Sequence, residues 1–191
     1  MKAVAICGSA RKNGNTALLL STVLEPLVEM GVETELVELA GKEIPGCKAC
    51  MGCFKNKDER CVFKKDIVNE CIEKMIGADV ILLGSPTYFA DLSSEIKALI
   101  DRSGMVGRAN GNMFKRKLGA GIVAKRRAGA IHVFDSLNHF FLIGEMIVVG
   151  SSYWNIGIGG EKGSVAGDEE GIATMKTLGE NLGWLLKKLK Q

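Results

Sequence analysis

The sequence predicts a doubly wound α/β fold, with five parallel strands in the order 2-1-3-4-5 and helices on both faces. Three observations carry this. Short, almost wholly apolar runs recur at residues 2–7, 79–84 and 118–124, as strands buried on both faces require. Amphipathic segments with helical spacing lie between them, so strands and helices alternate along the chain. One further run, residues 32–39, alternates apolar with acidic residues, which suits an edge and leaves strand two outermost.

The elements follow in order. The first strand, 2–7, is bounded by Gly8. Asn15 or Thr16 caps a helix whose apolar stripe is Leu18, Leu19, Leu20, Val23, Leu24, Leu27 and Val28, and Gly31 stops it. After strand 32–39 the pattern breaks. Residues 41–60 are rich in Gly, Lys and Cys without periodicity, and so read as a long loop of the kind that carries function. Helix 66–76, strand 79–84, helix 93–102, strand 118–124, helix 130–141 and strand 146–150 come next. Gly167 or Asp168 opens a last helix, and Lys187, Lys188 and Lys190 complement the dipole at its end.

With 191 residues, the chain reads as a single domain over 1–191 with a cysteine-rich loop at about 41–63. Its 47% hydrophobic and 25% charged residues are ordinary for a globular protein, and a net charge of +3 is too small to argue for nucleic acid. No apolar run approaches the roughly 20 residues of a membrane span. Only five mostly small apolar residues follow Met1-Lys2 before Gly8-Ser9 and Arg11-Lys12, so no secretory signal develops and a cytoplasmic location is expected. There thiols stay reduced, so the six cysteines do not form a disulfide framework. Cys7 and Cys71, in apolar surroundings, are expected to be inert core residues.

The loop Gly8-Ser9-Ala10-Arg11-Lys12-Asn13-Gly14-Asn15-Thr16 joins strand one to helix one, at the ligand point of this fold class. A helix N-terminus offers free N–H groups and the positive dipole end to a phosphate. Ser9, Asn15 and Thr16 add hydroxyl and amide donors, Arg11 adds charge, and Gly14 allows close approach. The loop is neither a Walker A motif, since Asn15 follows Gly14, nor the dinucleotide fingerprint G-x-G-x-x-G. The bland alternative is a Gly-rich turn capping a helix. The loop after strand three, Gly84-Ser85-Pro86-Thr87-Tyr88-Phe89-Ala90, lies beside it in the proposed order. Pro86 stiffens it, and Tyr88 and Phe89 give flat apolar surface for a heteroaromatic ring, or pack into the core.

Together these loops resemble the phosphate loop and the isoalloxazine loop of the NADPH-dependent FMN reductase group of flavodoxin-like proteins. The resemblance covers nearly the whole chain. It implies a flavodoxin-like fold, FMN phosphate at Ser9, Arg11, Asn15 and Thr16, and the flavin ring at Pro86, Thr87, Tyr88 and Phe89.

Cys47-x2-Cys50-x2-Cys53-x7-Cys61 gathers four of the cysteines. C-x2-C-x2-C resembles the first part of a bacterial ferredoxin motif, where close spacing lets three thiolates take three corners of a cubane. Cys61 would return to complete the set. Lys48, Lys55, Lys57, Arg60, Lys64 and Lys65 would offset the charge of an anionic cluster. Zinc, which prefers two separated knuckles, and a cluster-free loop with free thiols or a labile disulfide are the alternatives. The pattern is similar to that of the iron–sulfur flavoproteins of anaerobic microbes, a branch of the same group. That resemblance implies electron transfer between a [4Fe–4S] cluster and FMN, often across a subunit interface of a homodimer or homotetramer, with ferredoxin as donor.

Two basic triplets, Lys115-Arg116-Lys117 and Lys125-Arg126-Arg127, flank strand four. They suit an acidic ferredoxin or a nicotinamide phosphate, or are solvated loop ends. His132 and His139 have no convergent partner and read as surface or packing residues. The first functional reading is therefore a flavin-dependent oxidoreductase that passes electrons from ferredoxin through the cluster to FMN and an acceptor. The alternatives are an NAD(P)H-dependent FMN or quinone reductase without a working cluster, and a non-catalytic electron carrier or thiol redox sensor.

Overall fold

The computed structural model describes residues 1–190. The chain runs β1 (Lys2–Cys7), α1 (Asn15–Glu29), β2 (Glu33–Glu38), α2 (Gly52–Asn56), α3 (Val68–Gly77), β3 (Val80–Pro86), α4 (Ser94–Ala109), β4 (Leu118–Lys125), α5 (Ala130–Ile143), β5 (Ile147–Val148), β6 (Ile156–Ile158), a 3-10 turn (Ser164–Gly167) and α6 (Glu169–Leu189). All strand pairs are parallel, in the order β2-β1-β3-β4-β5, with β6 also on β4. The expected flavodoxin-like order is therefore present, with the half-exposed β2 at its edge.

Side-chain alternation explains why the central strands are apolar throughout. Val4, Ile6, Ile81 and Leu83 pack on one face with α3, α4 and α5. Ala3, Ala5, Val80 and Leu82 pack on the other with α1 and α6. At Gly119 of β4 a Cβ would lie 2.6 Å from the Phe141 ring, so glycine lets α5 settle on the sheet. Cys7 and Cys71 are buried in these two cores, as expected.

Four details differ from the sequence reading. The fifth strand is split: β5 pairs with Leu118 and Gly119, and β6 pairs with Val123, Ala124 and Lys125 farther along the same edge. Asn155 bridges the gap, its carbonyl accepting from Val123 N (2.9 Å) and its amide donating to Gly121 O (3.1 Å). α4 runs past Arg102 to Ala109, and a short helix, α2, forms inside the 41–60 loop. Val28, placed on the apolar stripe of α1, faces solvent. No described helix is long and apolar enough to cross a membrane.

Candidate functional site

The carboxyl ends of β1, β3 and β4 lie in step, Cys7 pairing with Gly84 and Pro86 with Ala124. Backbone bonds join the loops that leave them. Gly8 N donates to Gly84 O (2.8 Å) and Thr87 N to Ala124 O (2.9 Å). The buried Ser93 hydroxyl donates to Gly8 O (2.6 Å), Ser93 N donates to Ser85 Oγ (3.0 Å), and Ser93 also caps α4. One serine thus ties the first loop, the second loop and the start of α4.

Between these loops lies a cavity of about 160 Å³ lined by Ser9, Arg11, Asn15, Thr16, Pro86, Thr87 and Tyr88, with Ala124, Lys125, Arg126, Gly159 and Gly160. Seven of the eight residues expected at a flavin converge here. Phe89 lies outside it. Tyr88 and Asp91 exchange backbone bonds (2.9 and 3.0 Å), so Phe89 and Ala90 form a two-residue turn, with φ of +48° and +61°. Such a turn favours Gly or Asn at both positions. The Phe89 side chain is fully exposed at its tip.

The phosphate end of the cavity is built by backbone. No side chain caps α1, so its first-turn N–H groups are left facing the loop. A Cβ at Gly14 would sit 2.9 Å from Arg11 O, so the loop closes only with glycine there. Arg11 N donates to Ser9 Oγ (3.1 Å). Asn15 commits both amide hydrogens to the segment after β6, at Gly159 O (3.0 Å) and Glu161 O (2.8 Å). Its side chain therefore builds the cavity wall, a different task from the ligand donor expected of it. Arg11 also reaches this segment, at Gly160 O (3.2 Å). Thr87 Oγ1 is buried without a partner. That orphaned hydroxyl, the uncapped helix end and the Gly14 cradle fit a ligand with a phosphate and a polar ring edge. Of the basic triplet after β4, Lys125 and Arg126 line the cavity and Arg127 does not.

The cysteine loop leaves the same end of the sheet, starting where Leu39 N donates to Cys7 O (2.9 Å). Cys47, Cys50, Cys53 and Cys61 all line a second cavity of about 220 Å³, with Val62, Phe63, Met105, Val106, Lys48 and Arg102 among its walls. All four are free thiols. Among the described residues no group of three or more His, Cys, Asp or Glu is gathered as ligands for a single ion. Four soft sulfur donors on one largely apolar cavity wall have the chemistry that a thiolate-bound iron–sulfur group would need. Burial pushes the Cys53 thiol up against two backbone donors, and nearby Cys47 and Cys61 push it further. Ala49, Met51, Lys57 and Glu59 have positive φ, so seven of the ten non-glycine residues with positive φ fall in the three loops described here. Such strain clusters where a loop is held for a purpose. A groove of about 630 Å³ between α4 and α5 runs from Cys47 and Ala49 to Asp91 and Leu92, linking the two loops along the surface. His139 lies in that groove, exposed.

The sheet order and its two helical layers define a flavodoxin-like protein. Structural likeness agrees: a flavodoxin from the domain Archaea matches at TM-score 0.63 over 98% of this chain and 99% of that one, at 14% identity. An NADH:FMN oxidoreductase in its apo form matches at TM-score 0.66 over 96% and 89%, also at 14% identity. Residues 1–161 match the model of the family described as NADPH-dependent FMN reductase, and the chain belongs to that family of flavin-dependent oxidoreductases. It is 37% identical to an iron–sulfur flavoprotein of Methanocaldococcus jannaschii over the whole of both chains. It is 35% identical to an iron–sulfur flavoprotein of Methanosarcina thermophila over 94% of this chain and 91% of that one.

Proposed function

We propose that the chain acts as one FMN-dependent redox domain, with the cysteine loop as its insert, passing electrons from a ferredoxin to an acceptor by means of FMN and a [4Fe–4S] cluster. The observation that carries this reading is the convergence of Cys47, Cys50, Cys53 and Cys61 on one cavity, at the sheet end that also holds the cavity between the first and third strands. The curated relatives named iron–sulfur flavoproteins support it.

In this reading Ser9, Arg11, Thr16 and the α1 N-terminus hold the FMN phosphate, while Pro86, Thr87 and Tyr88 face the ring. Asn15 supports the cavity through Gly159 and Glu161. FMN supplies one- and two-electron redox chemistry when bound. Lys125 and Arg126, at the cavity wall, favour negative charge on whatever occupies it. The exposed Lys55, Lys57, Arg60, Lys64 and Lys65 around the cysteine loop suit the acidic surface of a ferredoxin. The assembly is a homodimer or homotetramer in the cytoplasm.

The test is anaerobic purification with iron, sulfide and FMN measured together. About four iron and four sulfide per chain are expected, as four thiolates and one cubane require. Cys47→Ser, Cys50→Ser, Cys53→Ser and Cys61→Ser each lower the iron content and leave FMN bound. Cys7→Ser and Cys71→Ser change neither. Stoichiometric zinc, or no iron after anaerobic reconstitution, removes the cluster from the account. The second reading, an NAD(P)H-dependent FMN or quinone reductase, is favoured by Lys125 and Arg126 at the cavity, which suit a nicotinamide phosphate. Steady-state NADPH oxidation with a quinone by iron-free protein would select it.

A further inference from the structure

Arg102 is the one Lys or Arg among the described residues that is buried, although it sits in the middle of α4. Its ion-pair partner Asp66 precedes α3, and both side chains are only 2% exposed. The guanidinium fork makes further bonds. It donates to Pro45 O (3.3 Å) and to Phe63 O (3.2 Å), and lies over the Phe63 ring at 5.3 Å. Pro45 is two residues before Cys47, and Phe63 is two after Cys61. One side chain therefore closes both ends of the segment that carries all four thiols. A second clamp holds Cys61 itself: Asn69 accepts from Cys61 N (2.8 Å) and donates to Cys61 O (2.9 Å) and Phe63 O (3.1 Å).

Arg102 also lines the cysteine cavity. Burial opposes its charge, but a guanidinium is not deprotonated in proteins, and Asp66 pairs with it directly. A buried ion pair is commonly no more stabilising than an apolar pair of the same size. Stability alone therefore gives little reason for a charge here, whereas an anionic occupant of the cavity does.

We propose that Arg102 is a positioning residue for the group held by Cys47, Cys50, Cys53 and Cys61: its fork closes the segment at both ends, and its fixed charge at the cavity wall favours the more negative state of that group. The clamp rests on geometry alone. The charge effect rests on the cluster reading given above. Ser93, which ties the loops after β1 and β3, caps α4, so one helix anchors both candidate sites at points nine residues, or about 13.5 Å, apart along its axis.

Two variants separate fork from charge. Arg102→Lys keeps the charge but loses the planar fork. The paired change Arg102→Gln with Asp66→Asn removes both charges at similar volume, so neither is left buried alone. FMN content serves as the folding control. In iron-free protein, amide hydrogen exchange across residues 45–63 is expected to speed up at least tenfold in both variants, with β1, β3 and β4 unchanged, on the logic that exchange reports local opening. In iron-loaded protein, a redox titration followed spectroscopically reads the charge. At a fixed solution potential the reduced-to-oxidised ratio of the cluster is expected to fall about tenfold in the paired variant, or 59 mV for a one-electron couple. It stays near the wild-type value in Arg102→Lys, and Asp66→Asn alone moves it the other way. Unchanged exchange in 45–63, or a change spread over the whole sheet, overturns the clamp. Equal potentials in all variants overturn the charge role. Wild-type protein that binds no iron defeats the cluster reading instead, and the exchange measurement still decides the clamp.

Discussion

Thr87→Val separates binding from stability at the proposed flavin site. The Thr87 hydroxyl is buried without a partner, beside a backbone N–H that is already bonded to Ala124 O. A buried hydroxyl left unpaired costs about 1–3 kcal/mol, whereas a made hydrogen bond is worth about 0.5–1.5 kcal/mol net. Valine keeps the shape and removes the orphan. The ligand-free protein is therefore expected to gain about 1 kcal/mol, which raises the melting temperature by about 2–4 °C for a chain of this size. FMN should bind about 5- to 30-fold more weakly, because the variant lacks the group that binding would satisfy. Urea unfolding of the flavin-free protein and fluorescence titration with FMN read the two effects. A less stable ligand-free variant, or unchanged FMN affinity, would refute the reasoning that the hydroxyl awaits a ligand.

Three further outcomes are expected. Arg11→Ala weakens FMN by about 1.5–3 kcal/mol, the scale of a charge-assisted hydrogen bond, while Lys12→Ala, at an exposed position outside the cavity, leaves titrated affinity nearly unchanged. In metal-free native protein a thiol reagent titrates Cys47, Cys50, Cys53 and Cys61 quickly, and reaches the buried Cys7 and Cys71 only on unfolding. Burial raises Cys7 to about 11 and Cys71 to about 12 from the ordinary 9.0. The unfolded chain thus releases these protons first, so stability that is full below pH 9 declines as pH rises towards 11–12. Urea midpoints compared at about pH 8 and about pH 10.5 should show the fall, with a shallower slope in Cys71→Ala.

What the sequence reveals is local. The strands of the centre announce themselves because both faces are covered, so Ala3 to Cys7 and Val80 to Leu83 are unbroken apolar runs. The cysteine spacing is readable for the same reason: four thiols within 15 residues need no fold to bring them near one another. Long-range pairings leave no such trace. Asn15 looks like a ligand donor until its amide is found on Gly159, 144 residues away. Arg102 looks like the charged end of a helix, and its partner Asp66 lies 36 residues back. Gly104 and Gly107 hide the continuation of α4, yet at Gly107 a Cβ would come within 3.2 Å of the Phe114 ring, so the missing side chain is a packing requirement. β6 has only three residues and is held by Asn155, too short for any period to show.

The proposed redox role depends first on a phosphate-dependent flavin site between the first and third strands. Fluorescence titration of flavin-free protein with FMN and with riboflavin tests it in one experiment. One FMN per chain is expected, with riboflavin bound at least 100-fold more weakly, since it lacks the group that Ser9, Arg11, Thr16 and the α1 N-terminus address, at about 1.4 kcal/mol per tenfold. Equal affinity for the two flavins would contradict the site.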